Sequence, residues 1–291
     1  MNRLGWIGPG VMGGHMVRHL NQKNSGVTVF SRSPERRAEL AADGLSVSES
    51  VEELAELSDV LFLCLTDSEA VKEVSAKIAS AQNPPKIVVD HSTIHPETAK
   101  EVAEQLAQAD TALLDAPVTG GSMGAKAGKL ICFVGGSEDV LTEVTPLLSS
   151  YCKTVAYIGA SGSGQTMKMA NQIAVAGSVM GLCECMAFAS RSGLSLQQTV
   201  ELISQGAGGS WSFDNYGPKI LAGDHQPGFS IENQLKDLLY AVDVAEGNDL
   251  RLHTAELMRK HLEAMVEAGR GDLATTAIYE SLVNGSLEGE E

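Results

Sequence analysis

The sequence predicts an α/β domain built on a doubly wound sheet, followed by an all-α domain, with one long helix joining the two. Residues 1–162 alternate short β-rich segments with helical ones, which is typical of βαβ units and a parallel sheet. Residues 163–291 are helical in pattern with no clear strand, and they begin with a largely apolar stretch over 164–191. A chain of 291 residues also exceeds the usual size of one hydrophobic core, which favours two domains.

The strands of the first domain are predicted from segments rich in β-branched and other apolar residues. Most of these segments run into Gly, Ser, Thr or Pro, so the carboxyl ends of the strands form a loop-lined edge. Ligands of open α/β sheets bind at that edge. In chain order the segments are RLGWIG (3–8), VTVF (27–30), VLFLCL (60–65), IVVDHS (87–92), ALLDAPV (112–118), LICFVGG (130–136) and VAYIG (155–159).

Helical segments lie between these strands, as βαβ units require. In order they are GHMVRHLNQ, PERRAELAADG, AVKEVSAKIAS, HPETAKEVAEQLAQ and EDVLTEVTPLLSS. The segment 164–191 is apolar on nearly all sides and contains small residues that permit close approach of other helices. A helix that is apolar all round is predicted to be buried.

Composition restricts the partners and the compartment. The formal net charge of −16, with an isoelectric point near 4.8, argues against nucleic acid, whose phosphates are bound by clustered Lys and Arg. No apolar run approaches the roughly 20 residues that cross a bilayer, and the N-terminus enters a strand pattern without a basic leader. Five cysteines, an odd number, favour reduced thiols. We therefore expect a cytoplasmic protein with no membrane partner, and no metal site at Cys183 and Cys185, which lack further nearby ligands.

The segment LGWIGPGVMGGHM, residues 4–16, contains Gly8, Gly10 and Gly13 in the spacing G-x-G-x-x-G, between a strand and a helix. That context is the fingerprint of a Rossmann-type dinucleotide-binding domain. The first glycine makes the tight turn, the second lets the pyrophosphate approach the backbone, and the third allows close helix–strand packing. Backbone N–H groups at the helix start, including those of Val11 and Met12, are expected to bind the phosphates.

The residues after the second strand select between the two nicotinamide cofactors. An NAD site usually has an acidic residue there to bind the ribose 2′-hydroxyl, whereas an NADP site has donors for the 2′-phosphate. This chain has Ser31, Arg32 and Ser33, with no acid until Glu35. Because the Arg32 guanidinium offers a fork of donors between two hydroxyls, the sequence predicts NADP(H) in preference to NAD(H).

Three further stretches carry polar residues at positions suited to chemistry. DHST (90–93) follows the fourth predicted strand, and DAPVTGG (115–121) offers a hydroxyl and unhindered backbone N–H groups for a carboxylate. The start of the long helix has Lys168, Asn171 and Gln172 at i, i+3 and i+4, on one face. Polar groups in a buried apolar helix cost free energy unless they are paired, so this group indicates a function.

These motifs resemble those of the β-hydroxyacid dehydrogenase family, which includes 3-hydroxyisobutyrate dehydrogenase, tartronate semialdehyde reductase and the glyoxylate/succinic semialdehyde reductases. The resemblance covers about residues 3–285. The family motif G-x-G-x-M-G-x-x-M is GPGVMGGHM here, D-x-S-T is DHST, D-A-P-V-S-G-G is DAPVTGG, and G-x-G-x-x-x-K-x-x-N-N is GSGQTMKMANQ. A fifth motif, K-D-L, is present at 236–238.

The resemblance implies reversible hydride transfer between a nicotinamide cofactor and a small 3-hydroxy acid or its semialdehyde. Lys168 is then the proton donor and acceptor, because hydride arriving at a carbonyl leaves negative charge on its oxygen. Asn171 orients the lysine and the substrate, and Gln172 contributes to substrate binding. Burial beside the nicotinamide is expected to lower the pKa of Lys168 toward neutrality.

The remaining site residues are also implied by the resemblance. Thr119, Gly120 and Gly121 are expected to bind the substrate carboxylate, Thr93 to lie against the nicotinamide, and Lys236 to lie near the cofactor. Leu65 and Thr66 follow the third strand on the adenosine side, where the family usually has L-P. This chain lacks that proline, has Thr119 for the usual serine, and has Gln172 for the second asparagine of the N-N pair.

Other functions on the same scaffold are less consistent with the sequence. Imine reductases and catalytically silent relatives generally lack the lysine that this chain has as Lys168. 6-Phosphogluconate dehydrogenase usually has a much longer helical domain. The substrate stays open among methylmalonate, tartronate and succinic semialdehydes, glyoxylate and sulfolactaldehyde, because such compounds differ by only about 1–3 kcal/mol in a pocket. The long apolar helix predicts a homodimer or homotetramer.

Overall fold

The computed structural model describes residues 3–226 and 228–285. The chain forms two compact units that divide after Lys168, inside the long helix. The domain limits expected from the sequence, 1–162 and 163–291, include a few residues outside the described ranges and stay a prediction. Each unit is described by itself below.

The first unit is built on one sheet, in which the described residues form nine strands. They are β1 (Leu4–Ile7), β2 (Thr28–Phe30), β3 (Ser46–Val47), β4 (Val60–Leu63), β5 (Ile87–Asp90), β6 (Ala112–Asp115), β7 (Val118–Thr119), β8 (Leu130–Gly135) and β9 (Cys152–Gly159). Strands β3, β2, β1, β4, β5 and β6 are neighbours in that order and all parallel. The order reverses between β1 and β4, which is where open α/β sheets bind ligands.

Helices connect the strands of this unit. They are α1 (Gly13–Asn24), α2 (Pro34–Ala42), α3 (Val51–Glu56), α4 (Ser68–Ala79), α5 (Pro96–Ala107), α6 (Gly121–Ala127) and α7 (Glu138–Leu148), followed by the start of α8 (Ser163–Arg191). Side-chain hydroxyl or carboxylate caps begin several of them, for example Ser33 at α2 and Asp67 at α4, each accepting from a backbone N–H three residues on.

Both faces of the sheet are covered, because successive residues of its strands point to opposite sides. Trp6 and Phe62 pack in one apolar cluster with α1, and Ile7 and Leu63 pack in another with α4 and α5. Strands buried on both faces explain the near-continuous apolar runs in the sequence. The predicted fold class, a doubly wound α/β sheet followed by helices, is confirmed.

The structure corrects some expected elements. The sheet is not wholly parallel, because β8 pairs antiparallel with β6 and β7 and parallel with β9. The segment 112–118 is two strands, broken where Pro117 has no N–H to donate to a ladder. The short elements β3, α3 and α6 were not expected; helix α3 is capped by Ser50, whose hydroxyl accepts from the Glu53 backbone N–H.

The second unit is helical. It contains the remainder of α8, then α9 (Leu196–Ile203), α10 (Trp211–Ala222), α11 (Ile231–Glu246), α12 (His253–Glu267), a 3₁₀ turn (Thr275–Ala277) and α13 (Ile278–Asn284). An isolated antiparallel bridge joins Ser230 to Ala274. One apolar cluster holds these helices together, and α8 supplies several of its members, including Val179, Met180 and Met186.

Helix α8 corrects the expectation about apolar length. By length and composition it is able to cross a membrane, since an 18-residue window has a mean hydropathy of 1.6. That window is 44% buried, and its buried side chains belong to the apolar core of the second unit, as in the core helix of a globular domain. Composition alone did not separate the two cases, because a core helix and a membrane span bury the same residue types.

Candidate active site

A cleft of about 960 Å³ opens in the first unit at the carboxyl ends of β1, β2 and β4. Most of the predicted cofactor residues line it: Gly8, Gly10, Val11, Ser31, Arg32, Ser33, Leu65 and Thr66. The lining does not include Met12, Gly13 or Thr93, and Lys236 belongs to the second unit. The volume is in the range of small-molecule and cofactor sites.

The glycine-rich turn has the geometry that the fingerprint requires. Gly8 has φ +83°, and a Cβ atom there would lie 2.3 Å from the Cys64 carbonyl oxygen. A Cβ at Gly13 would lie 2.3 Å from the Gly8 carbonyl oxygen, so the third glycine permits close packing of helix on turn. A Cβ at Gly10 would meet no atom within 4 Å, which leaves space for a ligand to approach the backbone. These residues fit a dinucleotide.

Residues after β2 present cations and hydroxyls to the cleft. The Ser33 hydroxyl accepts from the Arg36 backbone N–H and donates to Glu35 at 2.7 Å. Arg36, which sequence reasoning missed, also lines the cleft, with its Nε donating to the Pro9 carbonyl oxygen at 2.9 Å. Its position four residues after Arg32 was the available signal.

Acidic side chains line the cleft as well, which the sequence argument did not anticipate. They are Glu49, Glu52 and Glu73. The Lys77 ammonium, and to a smaller extent Arg32, lowers the pKa of Glu73. Arg32 therefore lies in a mixed field of both signs rather than in a purely cationic one.

The DHST stretch contains a buried histidine, His91, that packs against residues of the first unit. His91 is buried, with Nδ1 2.7 Å from the Ala116 carbonyl oxygen and Nε2 2.8 Å from the Tyr151 hydroxyl. Its ring stacks with those of Trp6 and Phe62. Burial lowers the pKa of His91 to about 4, so the imidazole is neutral at pH 7. His91 follows β5 and holds that strand end against neighbouring segments of the first unit, which indicates a structural role.

Asp115 holds the start of α8. Its carboxylate accepts from the Gly162 N–H at 2.8 Å and from the Gln165 N–H at 2.9 Å. Burial raises the pKa of Asp115, and these backbone hydrogen bonds oppose that rise. An anion at the N-terminus of a helix is favourable for the helix dipole. Asp115, the first residue of DAPVTGG, therefore anchors the helix that carries Lys168.

Gln165 links the same helix to DHST, and it was also missed. Its Nε2 donates to the Ser92 carbonyl oxygen at 2.8 Å, and its Oε1 accepts from the Ile94 N–H at 3.2 Å. The side chain is fully buried. Three separate sequence motifs thus meet in the first unit through hydrogen bonds of Asp115 and Gln165.

Lys168 is buried, at 7% exposure, beside the DAPVTGG segment. Its Nζ donates to the Val118 carbonyl oxygen at 2.9 Å. The next residues are Thr119, Gly120 and Gly121, and the two glycines have φ of +124° and +63°. The structure therefore brings the predicted catalytic lysine next to the predicted carboxylate-binding segment.

The second unit contains a chain of polar side chains. Asn171 Nδ2 donates to Gln172 Oε1 at 2.9 Å, and Gln172 Nε2 donates to an Asp237 oxygen at 2.6 Å. The other Asp237 oxygen lies 2.8 Å from Lys236 Nζ, which sits 5.1 Å from the centroid of the Tyr240 ring. The predicted Asn171, Gln172 and Lys236 are brought together here. Asp237, which was quoted only as part of K-D-L, is the residue that joins them.

Two family models match this chain. A family model described as the NAD binding domain of 6-phosphogluconate dehydrogenase matches residues 3–159. A second, described as NAD-binding of NADP-dependent 3-hydroxyisobutyrate dehydrogenase, matches residues 162–282. The chain belongs to the β-hydroxyacid dehydrogenase family. As a member of it, the chain is an NAD(P)-dependent dehydrogenase that acts on CH–OH groups and binds a nicotinamide cofactor.

Two relatives illustrate the breadth of the β-hydroxyacid dehydrogenase family. The probable 3-hydroxyisobutyrate dehydrogenase-like 1, mitochondrial, of Arabidopsis thaliana is 36% identical, over 99% of this chain and 88% of that protein. The 2-hydroxy-3-oxopropionate reductase of Escherichia coli (strain K12) is 31% identical, over 96% of this chain and 97% of the reductase.

Solved structures of similar fold cover nearly the whole chain. The Mycobacterium tuberculosis 3-hydroxyisobutyrate dehydrogenase with L-serine has a TM-score of 0.87 at 28% identity, covering 97% of this chain and 99% of its own. Psf3 in complex with NADP+ and 2-OPP has a TM-score of 0.87 at 28% identity, covering 96% and 99%. An imine reductase from Pseudomonas sp. has a TM-score of 0.65 at 18% identity over 97% and 99%, and shows the fold alone.

Proposed function

We propose that this β-hydroxyacid dehydrogenase is NADP-dependent and interconverts a small 3-hydroxy acid and its semialdehyde, with Lys168 as proton donor and acceptor. The observation that carries the proposal is the buried Lys168 ammonium, held 2.9 Å from the Val118 carbonyl oxygen and adjacent to Thr119, Gly120 and Gly121. NADP(H), when bound, supplies the hydride chemistry at its nicotinamide.

The proton is handled by Lys168. Reduction of a carbonyl places negative charge on its oxygen, and an ammonium within hydrogen-bond reach neutralises that charge and donates the proton. An ammonium has three N–H donors, and one of them is donated to the Val118 carbonyl oxygen. This hydrogen bond orients the Lys168 ammonium. In the oxidation direction, the neutral amine accepts the hydroxyl proton.

The substrate carboxylate is assigned to residues 119–121. The left-handed backbone of Gly120 and Gly121 sets successive N–H groups in a turn, and such turns form concave anion sites. The Thr119 hydroxyl adds one donor. A carboxylate bound beside Lys168 places the reacting carbon of a short acid near the ammonium. The binding energy of the carboxylate then orients the substrate for proton transfer.

The preference for NADP(H) is assigned to Ser31, Arg32 and Ser33, with Arg36 as a further cation in the same cleft. Guanidinium groups bind phosphate through paired N–H donors. The remaining predicted cofactor contacts, at Met12, Gly13, Thr93 and Lys236, are part of the same proposal.

The catalytic role of Asn171 and the substrate-binding role of Gln172 are part of the same proposal. Both ends of the Gln172 amide are bonded to protein groups, Asn171 on one side and Asp237 on the other. This geometry favours a positioning role for Gln172, in which it orients Asn171 toward the substrate.

The test compares the rates of NADPH and NADH oxidation with a panel of carbonyl substrates. The panel consists of glyoxylate, sulfolactaldehyde and the semialdehydes of tartronate, methylmalonate and succinate. Lys168→Ala is expected to lower kcat by about 10²–10⁴-fold, the usual contribution of a positioned acid, with the NADPH Kd little changed. Lys100→Ala, which removes a surface lysine paired with Glu97, is the matched control and should keep wild-type kcat.

Each part of the proposal has its own contrary result. A preference for NADH removes the assignment of Arg32 while leaving the dehydrogenase intact. Lys168→Ala with kcat within about tenfold of the wild type removes the proton role. Reduction of a cyclic imine, with no turnover of any aldehyde acid, replaces the substrate class.

We extend the proposal to a homodimer or homotetramer in the cytoplasm, with domain limits near residue 162. In support of assembly, Phe188 is 71% exposed and Leu202 is 69% exposed in the second unit. Less than half of the apolar window of α8 is buried, and large exposed apolar surfaces are typical of interaction sites. Sedimentation equilibrium measures the assembly, and a monomer at micromolar concentration would contradict it.

A further inference from the structure

We propose that His15 is a further binding residue for the phosphate groups of the dinucleotide and that it takes up a proton when the dinucleotide binds. The inference rests on the proposed cofactor site and adds a pH dependence to it. It assigns a role to a residue that the G-x-G-x-x-G motif does not specify.

The position of His15 favours contact with phosphate. It lies in the first turn of α1, two residues after Gly13, is half-buried, and lines the cleft together with Gly10 and Val11. The N-terminus of this helix is where the backbone N–H groups of a Rossmann-type site meet the pyrophosphate. The His15 imidazole therefore lies on the side of the cleft where the pyrophosphate is expected.

The charges around His15 are of one sign. Arg18 on α1, Arg36 on α2 and Lys126 on α6 are cations whose charges, together with a contribution from His19 on α1, add to burial in lowering the pKa of His15. Two acids stand behind this cluster: Asp43 pairs with Arg18, and Glu39 pairs with Arg36. Arg18, Arg36 and Lys126 form a local basic patch in a chain of net charge −16.

The direction of the linkage follows from these charges. Without ligand, burial and the neighbouring cations favour neutral His15 at pH 7. A phosphate anion placed against the patch favours the imidazolium, so the pKa of His15 rises on binding. Protons are then taken up with the ligand, and the dinucleotide binds more tightly below the bound-state pKa than above it.

Isothermal titration calorimetry of the full chain between pH 5.5 and 8, in buffers of different ionisation enthalpy, measures the proton uptake directly. For a rise of about one pKa unit, we expect roughly half a proton per NAD+ near the midpoint and a Kd about tenfold lower at the acid end. His15→Gln should remove both effects. His19→Gln is the matched control, because His19 is one helical turn further on, is not part of the cleft lining, and bonds through Nε2 to the Lys126 carbonyl oxygen.

Two ligands separate the two phosphate positions. NAD+ carries only the pyrophosphate, whereas the 2′-phosphate of NADP+ itself titrates near pH 6, so for NADP+ the difference between wild type and His15→Gln is the quantity that decides. If His15 accounts for proton uptake with both ligands, it lies at the pyrophosphate. If it does so with NADP+ alone, it lies at the 2′-phosphate.

The inference is overturned if His15→Gln takes up as many protons as the wild type, or if His19→Gln abolishes the uptake. Should His15→Gln be misfolded, the His15 ring resonance of the wild type, titrated by NMR with and without NAD+, gives the same answer through its pKa. Tight binding with no His15-linked proton removes this inference alone. Failure of both dinucleotides to bind removes the proposed cofactor as well.

Discussion

Replacing Gly164 by alanine tests how closely the start of α8 is held against the sheet. A Cβ at this position would lie 2.4 Å from the Asp115 carbonyl oxygen and 2.7 Å from the Phe133 carbonyl oxygen. Both are backbone atoms of strands, β6 and β8, so neither is able to rotate away. Because ordinary contacts of a Cβ begin at 3.4 Å, the helix start has to move by about 1 Å.

The expected cost has two parts. Overpacking of this kind costs about 1–3 kcal/mol in the free energy of unfolding, and alanine returns up to about 1 kcal/mol through its higher helix propensity. We therefore expect a net loss of roughly 1–2 kcal/mol. Lys168, one turn later, moves with the helix relative to the Val118 carbonyl, and a misplacement of about 1 Å lowers kcat by on the order of 100-fold.

The same helix offers the control. A Cβ at Gly181 would meet no atom within 4 Å, so Gly181→Ala should increase the free energy of unfolding by about 0.5–1 kcal/mol and leave kcat unchanged. Urea unfolding and steady-state kinetics of the two variants give both quantities. Gly164→Ala as stable and as active as Gly181→Ala would show that the helix start is not closely packed and would refute the reasoning.

Three other expectations follow from buried polar groups. The folded-state pKa of His91, about 4, lies below the usual 6.5, so the unfolded chain binds more protons in acid than the folded chain does. This group should therefore lower the free energy of unfolding by about 2 kcal/mol between pH 7 and pH 5. Urea unfolding at the two pH values should show a smaller loss in His91→Phe than in the wild type. Asp115→Ala leaves two buried N–H groups, of Gly162 and Gln165, without their acceptor, and should cost roughly 2–5 kcal/mol in thermal or urea unfolding; a loss below about 0.5 kcal/mol would exclude the anchoring role. Gln172→Leu breaks the link between Asn171 and Asp237, and should lower kcat with little change in the Kd for NADPH, whereas a change in Kd alone would assign Gln172 to the cofactor.

Patterns that depend on neighbours in the chain were predictable. The alternation of apolar strands with helices indicated the doubly wound sheet, and the turn at Gly8, Gly10 and Gly13 has the close contacts that its spacing implies. The exceptions were short or interrupted elements. Strand β3 has two residues and α6 has seven, too few for a hydrophobic period to show, and the break at Pro117 lies inside the segment ALLDAPV, which was taken as one strand.

The sequence by itself determined the fold class, the family, the nicotinamide cofactor and Lys168 as the residue to examine, because these follow from spacing within single segments. Only the tertiary structure decided what surrounds them. Gln165 and Ser92 are 73 residues apart, and Asp115 and Gln165 are 50 apart, yet each pair is joined by a hydrogen bond. Periodicity reports which residues share a face of one element, whereas partners across elements are set by strand order and helix packing, and so are the charges that act on a group such as His15.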